Sequence, residues 1–279
     1  EFFNHKKRKF FIMGKIIGVL SLKGGVGKTS SVVALGDAMA DFGKKVLLID
    51  GNFSAPNLGL HLNIVDPSVT LNHVLARKTH VKDSIHKLGK FDVIPSSVFN
   101  NLKLNPLEIR DRIKPLKKRY DFTLIDSSPA LGEEMLGVML ASDGVVIVTT
   151  PDVPSLSTVL KVGRIARKRE IPILGIIINK AHDKDFDLSI EEIEETTGMP
   201  VLAIVPYDLN FQKSLSKSEP STSHNPKSKA SIEYKKLAGI LVGKKYKDAS
   251  LLNRAKNFFK VPPKKQEINR EIYYHRVFG

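Results

Sequence analysis

The strongest constraint on the fold is a glycine-rich segment, residues 23–30, that follows the apolar run 16–22. Its glycines let backbone N–H groups converge on one concavity, and a helix beginning near Lys28 adds the positive end of its dipole. In the general phosphate-binding loop, lysine contacts the β- and γ-phosphates and the following hydroxyl binds Mg²⁺, roles that fall on Lys28 and Thr29. We therefore predict a nucleotide site built from Gly24, Gly25, Val26, Gly27, Lys28, Thr29 and Ser30.

Composition and charge exclude several kinds of site and locate the basic residues. The sequence contains no cysteine, which excludes disulfides, thiolate metal sites and iron–sulfur ligation. No apolar run approaches the roughly 20 residues of a membrane-spanning helix. The formal net charge is +15, yet residues 13–212 carry 24 Lys/Arg against 23 Asp/Glu, whereas residues 213–279 carry 16 against 5. The body is therefore nearly neutral and the basic excess lies at the ends.

Short Val/Ile/Leu-rich runs alternate with helical patterns along the chain. Such runs are typical of parallel strands covered on both faces. After the first strand–loop–helix unit, the predicted strands are 45–50, 91–95, 122–126, 144–149, 173–178 and 201–205, and the predicted helices are near 105–118, 131–141, 155–168, 189–197 and 230–242. The pattern predicts an α/β fold, a doubly wound, mostly parallel sheet flanked by helices as in P-loop NTPases.

We expect a single domain with basic terminal extensions. Residues 1–12 are interpreted as a leader or expression remnant, because Met13 is a plausible start, so the domain spans residues 13–242. Residues 214–231 are rich in Ser, Lys, Pro, Asn and Thr, which indicates an exposed loop. Residues 243–279 are too polar to form a domain and are interpreted as a basic tail.

Two acidic residues end predicted strands, where ligands of open α/β sheets bind. Asp126 follows four mostly apolar residues, which is the Walker B pattern of a carboxylate that helps to hold Mg²⁺. Asp50 ends a second apolar run and is a candidate catalytic residue. For each carboxylate alone a simple turn cap is the alternative, but the phosphate-binding loop favours a functional role.

Together these residues resemble the MinD/ParA family of deviant Walker A ATPases over roughly residues 14–242, and within it the MinD-like cell-division and positioning ATPases. The resemblance rests on KGGVGKT (23–29), LLID (47–50), NLGL (57–60), IDSSP (125–129), VTTP (148–151), INK (178–180) and VPYD (205–208). It implies ATP and Mg²⁺ as ligands and a homodimer that forms around ATP. Iron–sulfur carriers share the loop variant but need cysteine ligands, which this chain lacks.

The resemblance also implies individual residue roles. Lys23 is the family's signature lysine, which reaches across the dimer to the partner's phosphates and acts like an arginine finger supplied in trans. Asn179 is expected to recognise adenine, with Pro206 as a nearby contact to the base. An alternative for Lys23 is a solvated lysine at the mouth of the loop.

The chain departs from the family pattern at Asn52. Relatives usually carry a second aspartate two residues after the first, and that carboxylate helps to position the attacking water. An amide orients water by hydrogen bonding but does not accept its proton. We therefore expect slow intrinsic hydrolysis, a long-lived ATP state, and stimulation by an activating protein that the sequence does not identify.

The basic tail contains a candidate amphipathic helix near residues 250–260. One helical face would carry the apolar residues, while Arg254, Lys256 and Asn257 lie opposite. An apolar stripe flanked by cations is typical of helices that lie in an anionic membrane surface, although packing on the body or on a partner is the alternative. The predicted membrane-contacting residues are Leu251, Leu252, Ala255, Phe258 and Phe259.

The favoured function is a slow ATPase that switches between a cytoplasmic monomer and a reversibly membrane-bound dimer, and so positions the division site or a similar structure. A ParA-type partition ATPase that binds DNA nonspecifically is the second hypothesis, which the basic tail supports and the neutral body disfavours. A third is a non-catalytic scaffold that holds ATP, for which Asn52 is the supporting feature.

Overall fold

The computed structural model of the chain describes residues 14–97, 99, 102–246 and 262–278. The strands are β1 Lys15–Leu20, β2 Val46–Gly51, β3 His86–Lys87, β4 Asp92–Ile94, β5 Phe122–Ser127, β6 Gly144–Thr149, β7 Ile173–Ala181 and β8 Val201–Pro206. The α-helices are α1 Lys28–Asp41, α2 Leu58–His61, α3 Leu71–Leu75, α4 Ile109–Ile113, α5 Glu133–Ala141, α6 Val153–Lys168, α7 Ile190–Thr197, α8 Leu209–Ser216, α9 Ser221–His224, α10 Lys229–Leu241 and α11 Lys265–Phe278. Short 3₁₀ turns lie at Val81–Ser84, Pro106–Glu108 and Lys114–Lys118.

The strands form one sheet in the order β3-β4-β2-β5-β1-β6-β7-β8, with only the β3–β4 pair antiparallel among the described strands. β1 lies between β5 and β6, so the chain changes direction across the sheet at this strand. A crevice at the carboxyl ends of the strands is expected at such a reversal. The predicted α/β fold is confirmed, including its mostly parallel sheet and single domain.

The core is divided between the two faces of the sheet because successive side chains of a strand point in opposite directions. Ile49 and Ile125 belong to one buried cluster, and their neighbours Leu48 and Leu124 belong to the other. α1 packs on the second cluster beside α10, where the Ser31 hydroxyl lies 2.6 Å from that of Tyr234. The start of α1, and hence the phosphate-binding loop, is thereby fixed to the core.

The single helix predicted near residues 105–118 is wrong in detail. The structure divides this stretch into a 3₁₀ turn, α4, and a second 3₁₀ turn that contains Pro115. Proline lacks the N–H that would continue the α-helical hydrogen bonding, so the helix changes geometry there.

The prediction of an exposed loop at residues 214–231 is wrong in part. Most of this stretch lies in α8, α9 and α10, and Ser221 and Thr222 are buried. The reason is a fully buried carboxylate in α1: Asp37 accepts hydrogen bonds from Thr222 at 2.6 Å and from Ser223 at 2.8 Å. Short hydroxyl side chains satisfy such a carboxylate, so polar composition here does not require exposure.

The sequence did not indicate α11, which packs against β8 and α10. Arg270 is buried and donates to the Glu233 carboxylate at 2.7 Å and to the Leu202 carbonyl at 3.2 Å. The interpreted leader and the candidate amphipathic helix near residues 250–260 lie outside the described residues. Within the described part of the chain, no helix is both long enough and apolar enough to span a bilayer.

Candidate functional site

The phosphate-binding loop connects β1 to α1 and is braced by the end of β7. Gly25 and Gly27 have φ values of +76° and +86°, which residues with a side chain rarely adopt. The Asn179 amide donates to the Val26 carbonyl at 2.7 Å, and the Lys180 ammonium donates to the Gly25 carbonyl at 2.7 Å. A Cβ on Gly27 would lie 2.4 Å from the Asn179 amide nitrogen. Glycine is therefore required here both by backbone conformation and by space.

Lys28, Thr29 and Asp126, which were predicted from the loop motif and from the end of a strand, meet at the end of β5. The Lys28 ammonium hydrogen-bonds the Asp126 carboxylate and the Ser127 carbonyl, and the Thr29 hydroxyl donates to the other carboxylate oxygen of Asp126 at 2.6 Å. Asp126 is 1% exposed and Lys28 is 8% exposed. A buried carboxylate of this kind is stabilised only when it is paired, which the lysine and threonine accomplish.

This arrangement fits Mg²⁺ and a polyphosphate. Mg²⁺ usually takes one or two protein oxygens and completes its shell with phosphate and water, and Thr29 and Asp126 offer those oxygens side by side. No group of three or more His, Asp or Glu residues suited to a metal occurs in residues 14–97, 99, 102–246 and 262–278. The donor set therefore suits a metal held jointly with a nucleotide better than a closed protein site.

Asp50 is fully buried one strand away, opposite Asp126 in the β2–β5 register. Its carboxylate accepts from the N–H groups of Asn52 at 3.1 Å and Leu58 at 3.0 Å. Burial, and then repulsion from Asp126, raise the pKa of Asp50 to about 7 despite these hydrogen bonds. The Asp50 carboxyl group is therefore partly protonated near neutral pH.

The Asn52 side chain is buried and faces the backbone of its own loop. Its amide nitrogen donates to the Ala55 carbonyl, and its amide oxygen accepts from the Ala55 N–H at 3.3 Å. Both ends of the amide are therefore engaged within the loop after β2. A water-orienting role for Asn52 stays a prediction.

Lys23 lies against the first turn of α6. Its ammonium is 3.0 Å from the Asp152 carboxylate and 2.7 Å from the Ser155 hydroxyl. Burial opposes ionisation, but hydrogen bonds from Thr150 and Lys23 outweigh it and lower the pKa of Asp152 to about 2. Lys23 is thus held within its own chain, and its predicted action on a partner's phosphates stays a prediction.

The other predicted contacts are distributed around the loop. Asn179 reaches the loop as described, and Pro206 ends β8 beside Ala181 of β7. Ser30 lies in the first turn of α1 and is partly buried. The five predicted membrane-contacting residues of the tail lie outside the described residues.

Sequence reasoning missed two partners in this site. The INK motif did not indicate that Lys180 supports the loop by donating to the Gly25 carbonyl. Asp152 was not recognised as the partner of Lys23, although it also caps α6 by accepting from the Ser155 N–H at 2.9 Å. An aspartate that follows a predicted strand and directly precedes Val153 and Pro154 is a helix-start signal that could have indicated it.

The chain is similar in sequence to known nucleotide-binding proteins. A family model described as an AAA domain matches residues 14–168, and one described as a NUBPL iron-transfer P-loop NTPase matches residues 116–242. An uncharacterized ATP-binding protein of Methanocaldococcus jannaschii is 31% identical over 252 residues, which is 88% of this chain and 94% of that protein.

Two solved structures are similar in both sequence and fold. The cell division ATPase MinD of Pyrococcus furiosus is 35% identical, with a TM-score of 0.77 over 81% of this chain and 97% of that one. The septum site-determining protein MinD of Pyrococcus horikoshii, complexed with Mg-ADP, is 31% identical, with a TM-score of 0.77 over 82% of this chain and 96% of that one.

Proposed function

The chain belongs to the MinD/ParA family of P-loop ATPases, and from this premise we propose that it is a slow, Mg²⁺-dependent ATPase whose nucleotide state controls dimerisation and membrane association. In this role it would position the cell-division site or a similar structure. The observation that carries the proposal is the meeting of Lys28, Thr29 and Asp126 at the end of a loop that begins with the signature Lys23.

Different groups around the loop would bind the phosphates and the Mg²⁺ ion. Backbone N–H groups of residues 24–29 and the Lys28 ammonium would hold the phosphates, while Thr29 and Asp126 would hold Mg²⁺. When bound, ATP would supply the electrophilic phosphorus, and Mg²⁺ would neutralise the negative charge that develops on the phosphate oxygens. Asp50, with its pKa near 7, is suited to accept a hydrogen bond or a proton from water at the end of β2.

Dimerisation would convert the site into its active form. The Lys23 side chain is 40% exposed, so its ion pair with Asp152 is accessible to solvent and costs little to exchange for another anion. A partner's phosphates offer more negative charge than one carboxylate. The cationic group would then stabilise the transition state, as arginine fingers do.

Membrane association would come from the tail. Each basic residue near an anionic surface contributes about 1 kcal/mol. A single short helix binds weakly, but an ATP-bound dimer presents two, and the linked pair gains avidity. Membrane binding would thereby depend on the nucleotide.

The decisive experiment is sedimentation of the protein with anionic liposomes in ATP and in ADP. We expect ATP-dependent binding that is lost in Phe258→Glu, which charges the proposed apolar face. Asn257→Glu adds the same charge to the opposite face and should retain most of the binding. Equal loss in both variants, or binding that ignores nucleotide, would contradict the proposed membrane switch.

A parallel DNA-binding assay addresses the second hypothesis. ATP-dependent DNA binding that weakens steeply with salt, together with no lipid binding, would favour a partition ATPase. Turnover of ATP should be measured in the same samples. Tight ATP binding with no phosphate release, alone and as the dimer, would favour the non-catalytic scaffold.

A further inference from the structure

A cavity lies at the opposite end of the sheet from the phosphate-binding loop. It has a volume of about 470 Å³ and is formed where β1, β5 and β6 begin. We call it the basal cavity. Its cationic lining residues are Lys15, Lys44, Lys45, Lys117, Lys118 and Arg119. The acidic residues that line it within the described part of the chain are Asp121 and Asp143.

Both carboxylates of the basal cavity are already engaged. Asp143 accepts from the Ile16 N–H at 2.8 Å and from the Lys117 ammonium at 2.7 Å. Asp121 accepts from the Lys45 backbone N–H at 2.8 Å. Burial lowers the pKa of Lys15, and the nearby Lys117 adds to this effect while Asp143 opposes it. Among the described lining residues, six cationic side chains are therefore accompanied by only two carboxylates.

The remaining lining is largely apolar. It includes Ile17, Leu174 and Val242, together with the rings of Tyr273 and Phe278 from α11. Cavities of roughly 300–1,000 Å³ with apolar walls and a few charged groups are typical of small-molecule sites. The basal cavity combines apolar walls with cations and so suits a ligand that has an apolar part and an anionic part.

The chain's own segments outside the described residues do not match this charge. Residues 1–12 contain four basic residues and one acidic residue, and residues 247–261 contain the same numbers. Either segment would bring like charge to the cavity, which is unfavourable. An anion from outside the chain is the complementary occupant.

We propose that the basal cavity binds a small phosphate-bearing amphiphile, with its phosphate between Lys45 and Lys118 and its apolar part against Tyr273 and Leu174. The site is separate from the phosphate-binding loop, because the six residues of β1 at about 3.3 Å each put roughly 20 Å between them. A phosphate joined to an apolar group is found both in soluble nucleotides and in phospholipids.

The test is calorimetric titration of the full chain with its nucleotide site saturated by ADP and Mg²⁺. One arm uses AMP, a second uses dihexanoyl phosphatidic acid below its micelle concentration, and a third uses inorganic phosphate. We expect one-to-one binding of AMP or of the short lipid, and at least tenfold weaker binding of inorganic phosphate. Binding of AMP alone would identify a soluble source, and binding of the lipid alone a headgroup.

Charge-reversal variants locate the site. Lys45 and Lys118 are exposed, so Lys45→Glu and Lys118→Glu should fold, and each should weaken binding at least tenfold. Lys82→Glu is the matched control, since Lys82 is exposed and lies outside the cavity lining. The proposal is overturned if neither organic phosphate binds, if inorganic phosphate binds as tightly, or if all three variants behave alike. None of these results bears on ATP hydrolysis, which is measured separately.

Discussion

The ammonium of Lys23 lies 3.0 Å from the Asp152 carboxylate, although 129 residues separate them in the chain. Asp152 simultaneously caps α6 and accepts from Thr150 and Ser155. The signature lysine is therefore held by a preorganised acceptor in its own chain. Dimerisation of the proposed kind must break this ion pair before Lys23 can serve a partner.

Releasing Lys23 should favour the dimer. Asp152→Asn retains an oxygen for the α6 cap but removes the charge that holds Lys23. Because both side chains are more than a third exposed, the pair is worth only about 0.2–1 kcal/mol, which corresponds to roughly 1.4- to 5-fold tighter ATP-dependent dimerisation for each Lys23 released. Sedimentation equilibrium with ATP measures this change. As a control, Asp111→Asn, at an exposed carboxylate of α4, should leave the dimerisation constant unchanged. An unchanged dimerisation constant in Asp152→Asn would show that Asp152 does not restrain Lys23.

Restoring the family's second carboxylate should raise the basal ATPase rate. In Asn52→Asp the new carboxylate cannot donate to the Ala55 carbonyl, so the side chain is freed to contact water in the site. Asn57→Asp is a matched control, because Asn57 donates to the same carbonyl at 2.9 Å and its variant adds the same charge. Steady-state phosphate release is the measurement. An unchanged or lower rate in Asn52→Asp would count against the proposed cause of slow turnover.

The buried Asp50 should make stability depend on pH. Its pKa is raised to about 7, whereas the pKa of an aspartate in an unfolded chain is about 3.9. Between these values the native state binds more protons than the unfolded state, so stability falls as pH rises through this window. From pH 5 to pH 8 the loss from this group is about 2–3 kcal/mol.

The asparagine side chain in Asp50→Asn does not titrate. The free energy of unfolding of this variant should therefore fall less between pH 5 and pH 8 than that of the parent protein. Denaturant unfolding without nucleotide or Mg²⁺ measures the difference. Asp66→Asn, at an exposed position, should keep the parent's pH dependence. Parallel pH curves for Asp50→Asn and the parent would show that the group is ionised throughout.

The ion pair between Arg270 and Glu233 should be critical for docking α11. Removing one partner leaves an uncompensated buried charge, and Arg270→Met is expected to destabilise the protein by about 3–5 kcal/mol. Changing both residues to methionine should recover much of this loss. Arg276→Met, at an exposed position of the same helix, should change the free energy of unfolding by less than about 0.5 kcal/mol. Equal effects at the two arginines would contradict the role of the buried pair.

The sequence was sufficient for features encoded by local pattern. Hydrophobic runs predicted most strands to within a few residues, because strands buried on both faces must be continuously apolar. The loop of residues 23–30 and the carboxylate ending β5 were recognisable because phosphate binding demands glycine, lysine and a hydroxyl at fixed spacing. The meeting of Lys28, Thr29 and Asp126 followed from these two facts and the geometry of parallel sheets.

Contacts between distant segments depended on the tertiary structure. The sequence did not show that Lys23 pairs with Asp152, that Asp37 is satisfied by Thr222 and Ser223, or that α11 docks through Arg270. Each is a polar interaction whose partner is set by packing, and polar residues carry no periodic signal that would reveal their burial. The sequence alone thus determined the fold and the motif of the phosphate-binding loop, while tertiary packing decided which charges are paired, which are buried, and that the pKa of Asp50 is raised.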